Sequence, residues 1–173
     1  MSRSEQILDT YVSLLVDGGV RQATIEAVAR KSGLSKPGLL HHFPSRAALD
    51  TALISRLRVL VKLDVAAMAA APDGAVHYYL ASSLEVGSDL ERAVVAVTRL
   101  GQAGNANARA ELRAARDEWF DLLLAQLGNP VMARLALLAG DGVAYQADIT
   151  EPGSAPYVDE ADVEEIAEAF VSR

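Results

Sequence analysis

Glycine and proline cut this chain into short stretches, and nearly every stretch between cuts repeats its apolar residues at helical spacing. The breaks fall at Gly18-Gly19, Gly33, Phe43-Pro44, Pro72-Asp73-Gly74, Gly128-Asn129-Pro130 and the run Glu151-Pro152-Gly153-Ser154-Ala155-Pro156. Proline removes a backbone donor and glycine favours turns, so helices end at such places. Between the breaks no strand alternation and no internal repeat appear. Alanine supplies 31 of the 173 residues, and it is the strongest helix former. The expected fold class is all-α, with about nine helices.

Local signals place most of the helix ends. The first helix is expected over Ser4 to Asp17, with Ile7, Leu8, Tyr11, Val12 and Leu15 on its inner face and Ser2 and Glu5 at capping-box spacing. Thr24 is placed to cap the second helix and Ser35 the third, where Pro37 is tolerated in the first turn. Ser45 caps a long fourth helix with Leu49, Leu53, Leu57 and Leu60 along one face. Ala75 to Leu84 forms a fifth, and Ser88-x-x-Glu91 opens a sixth that runs to about Gln102. A seventh begins at Asn105 or Asn107 and runs to Leu127. Pro130 starts an eighth that reaches about Ala147, and Asp159 opens a ninth.

Charge divides the chain. The formal net charge of −7 taken alone argues against nucleic acid, whose phosphates want a basic partner. Residues 1–62 carry +4, however, and residues 63–173 carry −11. A basic segment joined to an acidic one is consistent with nucleic-acid contact at the basic end, or with an uneven surface alone. Cysteine is absent, which excludes disulfide scaffolds, cysteine zinc sites and thiol chemistry. No apolar run is long enough for a membrane helix, and the first residues lead into an amphipathic segment, so a soluble intracellular protein is expected.

The segment Thr24 to Arg46 reads T-I-E-A-V-A-R-K-S-G-L-S-K-P-G-L-L-H-H-F-P-S-R. Two short helices meet at a tight turn. Ala29 is small where they would cross, Gly33 sits four residues later at a left-handed turn position, and Leu34 and Leu39 return to the core. Such a geometry lets the second helix enter a major groove. With the trailing His-Phe-Pro-Ser-Arg element and the following Ala-Leu, this stretch resembles the TetR (tetracycline-repressor-like) family of transcriptional regulators. The match covers roughly residues 7–57. The Asp141-Gly142 pair in the eighth helix is similar to an element found late in family members. One departure stands out: the family usually carries tyrosine, a phosphate contact, where this chain has Leu40, and leucine cannot donate that hydrogen bond.

The resemblance implies an N-terminal three-helix head with a helix-turn-helix, residues 1–45, and a C-terminal helical ligand-binding and dimerisation domain, residues 46–173. It also implies double-stranded operator DNA, a small-molecule effector and a second copy of the chain as partners. The DNA-contact candidates are Thr24, Ser35, Lys36, Pro37, Gly38, His41, His42 and Arg46. Lys36 is the one Lys or Arg in the short third helix and can reach a phosphate or a guanine edge. His41 and His42 point about 100° apart on a helix, which suits one facing DNA and one partly packed, and does not suit a shared metal site. Thr24 reads two ways, as a phosphate contact and as a plain cap. Arg46 reads as a phosphate clamp or an exposed arginine, and Phe43 as core.

In the acidic part, His77, Tyr78, Tyr79, Arg99, Gln102, Trp119 and Tyr145 are polar or aromatic residues on otherwise apolar helices. They are candidates to orient a ligand, or ordinary packing residues. Small residues Ala133, Ala136, Gly140, Ala144 and Ala147 form a stripe on the eighth helix. With Val163, Ile166 and Phe170 on the ninth, this stripe is the candidate dimer face, the alternative being intramolecular packing. No nucleophile elbow, phosphate-binding glycine loop or zinc helix is present, so no enzyme, cofactor or metal is expected. The expected function is a ligand-responsive repressor acting as a homodimer. The alternative is a helical small-molecule-binding or interaction protein that has lost specific DNA binding.

Overall fold

The computed structural model describes residues 2–151 and 153–172; of the loop expected at 151–156, Pro152 lies outside the described residues. Among the described residues there are nine helices and no strand: α1 (Arg3–Gln22), α2 (Ile25–Lys31), α3 (Lys36–His42), α4 (Arg46–Ala69), α5 (Ala75–Ser82), α6 (Asp89–Gln102), α7 (Ala106–Leu127), α8 (Pro130–Ile149) and α9 (Glu160–Val171). None is long and apolar enough to cross a membrane.

Side-chain caps fix the helix starts. Ser2 and Glu5 form a reciprocal capping box, as do Asp159 and Asp162. Thr24 Oγ1 accepts the Ala27 amide at 3.1 Å, Ser35 Oγ that of Gly38 at 3.2 Å, and Ser45 Oγ that of Ala48 at 3.1 Å. Asn105 caps α7 through the Ala108 amide at 3.1 Å, which decides between the two asparagines proposed for that start. The first helix differs from expectation at its end. Helical geometry does stop at Gly19, with φ 67° and ψ −175°, but another turn follows through Gln22 before Ala23 caps it. Ala23 is fully buried, so its packing holds this extra turn in place.

The described residues group into two compact units. The first comprises Met1–Val61 with Asp89–Ala114, the second Lys62–Ser88 with Ala115–Arg173. In the first, α1 packs on α2 and α6, and α2 on α3. Its core is built from Ile7, Tyr11, Leu15, Val28, Leu39, Leu49, Leu53 and Leu57, with Ala96, Val97 and Leu100 from α6. A carboxylate also enters this unit. Glu111 is 8% exposed and is met by Arg58, whose Nε donates to Oε1 at 3.0 Å while Nη2 bonds Oε2. Such forked pairing offsets much of the cost of burying the charge.

In the second unit α5 packs on α8 and α9. The core holds Met68, Val76, Tyr79, Leu80, Leu123, Ala133, Ala136, Val143, Val163 and Ala167. This packing takes up much of the expected dimer face. Ala133, Ala136, Gly140 and Val163 are buried against their own chain, and Ile166 and Phe170 pack partly against the same core. Small residues are needed here because α5 approaches α8 closely. A Cβ on Gly140 would lie 2.4 Å from Cε1 of Tyr79. Of the original stripe Ala144 is exposed and Ala147 half-buried.

The Gly140 contact gives a measurable expectation. Alanine is favoured over glycine in a helix by about 1 kcal/mol. Overpacking a filled core costs about 1–3 kcal/mol, and the Tyr79 ring is backed by Trp119 at a centroid distance of 5.9 Å. Gly140→Ala is therefore expected to lower stability in urea denaturation, by up to about 2 kcal/mol. A stabilised variant would show that the ring moves aside freely.

Candidate nucleic-acid interface and ligand cluster

The α2–turn–α3 segment is set by its turn. Ser32 ends α2, and Gly33 follows with φ 66°. The Gly33 amide donates to Arg30 O at 3.2 Å and the Leu34 amide to Ala29 O at 2.8 Å, a Schellman closure that uses up the last carbonyls of α2. Val28, Ala29 and Leu39 are buried where the two helices meet. The outward surface of α3 consists of Ser35, Lys36, Pro37, His41 and His42, all exposed, with Gly38 and Leu40 half-buried.

Each candidate contact has a defined local state. Thr24 is exposed and its hydroxyl oxygen is engaged as a cap acceptor, as is that of Ser35. Lys36 Nζ donates to Glu26 Oε1 at 2.7 Å, with both side chains more than half exposed. This partner holds the Glu26 carboxyl below its usual range through the hydrogen bond and the charge of Lys36. His42 Nδ1 lies 3.4 Å from Ser4 Oγ, which fastens it toward α1, while the His41 and His42 rings meet edge-on at 5.7 Å. His41 is exposed on the outward side of α3.

Arg46 is held within the head by its neighbours. Its Nε donates to Tyr11 Oη at 2.6 Å, and its guanidinium carbon lies 5.2 Å from the Tyr11 ring centroid. It also lies 3.5 Å from Asp50 Oδ1. The Tyr11 hydroxyl donates to Asp50, and Asn105 Nδ2 donates to Asp50 Oδ2 at 3.3 Å. Burial first, then the Asp50 contact, pushes the Tyr11 hydroxyl far above its ordinary range, so it stays a donor. The ring, guanidinium and carboxylate together fasten α1 to the start of α4. A long arginine at a helix start gives no sign in sequence of which partner will take it.

The candidate ligand residues separate. Arg99 and Gln102 are exposed on α6, in the first unit. Tyr145 is 61% exposed on the outer face of α8. In the second unit Tyr78 and Trp119 meet on a residue the sequence analysis passed over, Asp64. The Tyr78 hydroxyl donates to Asp64 Oδ1 at 3.0 Å and Trp119 Nε1 donates to Oδ2 at 2.8 Å. Burial, then Asp64 and Glu85, pushes the Tyr78 hydroxyl up to about 12. Tyr79 packs behind Trp119 with its hydroxyl raised, mainly by burial. His77 is half-buried on the same helix. The signal for Asp64 was present: it falls three residues after Val61 and four before Met68, in register with the buried stripe of α4. A separate groove of about 720 Å³ lies between the ends of α5 and α8 and the start of α9, lined by Leu84, Val86, Ala147, Tyr157, Val158 and Glu164 among others. None of the candidate ligand residues lines it.

Residues 7–53 match the family model described as bacterial regulatory proteins, tetR family. No curated protein matches the chain. Solved structures do. A TetR family member from Streptomyces coelicolor is 20% identical, with a TM-score of 0.71 and 98% of each chain covered. The multidrug binding protein EbrR in complex with malachite green is 18% identical, with a TM-score of 0.72 and 98% of each chain covered. A regulator from Saccharomonospora viridis in complex with choline is 18% identical, with a TM-score of 0.68 and coverage of 98% of this chain and 95% of that one. At these identities the likeness establishes the fold.

Proposed function

We propose that this chain, whose residues 7–53 belong to the tetR family of bacterial regulatory proteins, is a DNA-binding transcriptional regulator that acts as a homodimer and releases operator DNA when a small molecule binds. One observation carries the reading: the closed turn at Gly33 presents α3 outward, with Lys36, Pro37 and His41 exposed on a basic N-terminal segment. The functional division is proposed at 45/46, although packing joins α6 to α1.

For the homodimer, the support comes from the outer face of α8. Val131, Leu135, Leu138, Tyr145 and Ile149 are each 48–61% exposed and step along one side at intervals of four, three, seven and four residues. That is the spacing of a helix-packing seam, about 27 Å long. A second copy of the same helix, related by a two-fold axis, would cover it. Two heads would then read half-sites spaced by about one helical turn or a multiple of it.

The effector is proposed to bind in the second unit. Solved structures with this fold hold malachite green and choline. An effector that favours a head spacing incompatible with DNA lowers DNA affinity by linkage.

Binding to fragments of the gene's own promoter, measured across a salt series, tests the reading. Sequence preference and a steep salt slope are expected, and the absence of both would remove the DNA-binding assignment. Lys36 supplies a sharper expectation. Its exposed pair with Glu26 is worth only about 0.2–1 kcal/mol, so a phosphate can take its place. Lys36→Ala is expected to weaken operator binding and reduce the salt slope by about one, leaving the dimer intact. Unchanged affinity would take Lys36 out of the interface.

Leu40 favours a second reading. It is half-buried and cannot donate to phosphate, so the head would persist as scaffold on a small-molecule-binding protein. Selection of genomic fragments by the purified protein separates the two readings: enrichment of a shared sequence supports the regulator, and none supports the scaffold.

A further inference from the structure

We propose that Asp64, Tyr78 and Trp119 form a recognition site for an organic cation, which would be the chemical class of the effector; the inference rests on the effector reading above and names its chemistry. Asp64 is half-buried on α4 between the buried residues Val61 and Met68. Its two oxygens accept from two neutral donors, the Tyr78 hydroxyl at 3.0 Å and Trp119 Nε1 at 2.8 Å. A carboxylate offers about four acceptor positions, so these donors orient the group and leave capacity for a ligand.

Four other acids that are buried or half-buried each meet an arginine. Glu111 is met by Arg58, Asp50 by Arg46, Asp9 by Arg56 and Asp141 by Arg116. Asp64 has no ion pair with a Lys, Arg or His among the described residues. A half-buried carboxylate held by neutral donors has no cation in direct contact to offset its charge.

The surroundings suit an organic cation rather than a metal ion. The Trp119 ring packs against the buried Tyr79 at 5.9 Å with a 50° tilt, so the aromatic wall is fixed in place. Aromatic faces attract ammonium-type cations, indole most strongly. No group of three or more potential metal ligands gathers here or elsewhere among the described residues. An anion would be repelled by the carboxylate, and a purely apolar ligand would bury its charge without supplying a counter-charge.

The experiment uses the full chain without DNA. Trp119 is the only tryptophan, so its emission reports the site. The probes are tetraphenylphosphonium and tetraphenylborate, similar in size and opposite in charge. Phosphonium is expected to change the emission saturably and to bind at least tenfold more tightly than borate. Asp64→Asn is expected to weaken phosphonium binding at least tenfold and leave borate unchanged. Tyr78→Phe, which keeps the charge and frees one acceptor position, is expected to retain phosphonium binding or tighten it. Glu165→Gln, an exposed charge change on α9, is expected to change nothing.

Equal binding of the two probes by the unaltered chain would overturn the proposal. So would a loss of affinity for both probes together in Asp64→Asn, or an effect of Glu165→Gln as large as that of Asp64→Asn. If Asp64→Asn does not fold, the probe ratio of the unaltered chain and the Tyr78→Phe titration decide. Because no DNA is present, failure here leaves the regulator reading standing, and failure of DNA binding leaves this titration intact.

Discussion

Glutamate at both Leu135 and Leu138 is expected to convert the proposed dimer to folded monomers. The two leucines are 48% and 60% exposed in the middle of the α8 seam. Their cost to the isolated chain is small, because neither belongs to the core. In a two-fold dimer each substitution appears twice, so four carboxylates would face one another across an apolar contact. Removing leucine burial forfeits about 1.5–3 kcal/mol per side chain, and burying carboxylates without partners adds several more. The expected loss in dimer affinity is at least a thousandfold, read by sedimentation across a concentration series. Helicity and the unfolding transition of the monomer should persist. A dimer of unchanged affinity would place the interface elsewhere. Operator binding should fall with dimerisation, since one head alone reads one half-site.

Leu39→Ala is expected to be the most damaging single change to the head. Leu39 is fully buried in the first unit and is the buried anchor of α3. A seven-residue helix has little stability of its own. It is held by its Ser35 cap, by the Schellman turn before it and by this leucine. Leucine-to-alanine substitutions in cores cost about 2–5 kcal/mol, and the helix presenting Lys36 and His41 would lose its fixed position. Chemical denaturation should show a lower midpoint, and operator affinity should fall by more than in Lys36→Ala. Near-native stability would mean that α3 is held mainly by its ends.

The boundaries of this fold were legible because they depend on local chemistry. Ser2, Thr24, Ser35, Ser45 and Asp159 each cap the helix expected of them. Such caps are made within three residues along the chain, so the sequence contains both partners. Burial of Ile7, Tyr11, Leu15, Leu49, Leu53 and Leu57 followed from periodicity in the same way. The site was less legible. Tyr78 and Trp119 stood out as polar groups on apolar helices, but their common partner Asp64 lies 14 and 55 residues away in the chain. Arg46 was visible as a charge, but not the claim that Tyr11 and Asp50 make on it.

By itself the sequence determined an all-helical chain, the closed turn before α3, the basic segment that carries it and the absence of thiol chemistry. Periodicity, capping and composition are local or additive properties, and each can be read without knowing which helices touch. The tertiary structure decided which face of α8 is spent inward. Gly140 is small because Tyr79 packs over it, and the outward seam from Val131 to Ile149 is what a partner can reach. It also decided that Asp64 would meet the Tyr78 hydroxyl and the Trp119 indole N–H. Long-range contacts select among helix faces that periodicity alone makes equivalent, and that selection separates the buried face of a helix from its exposed one.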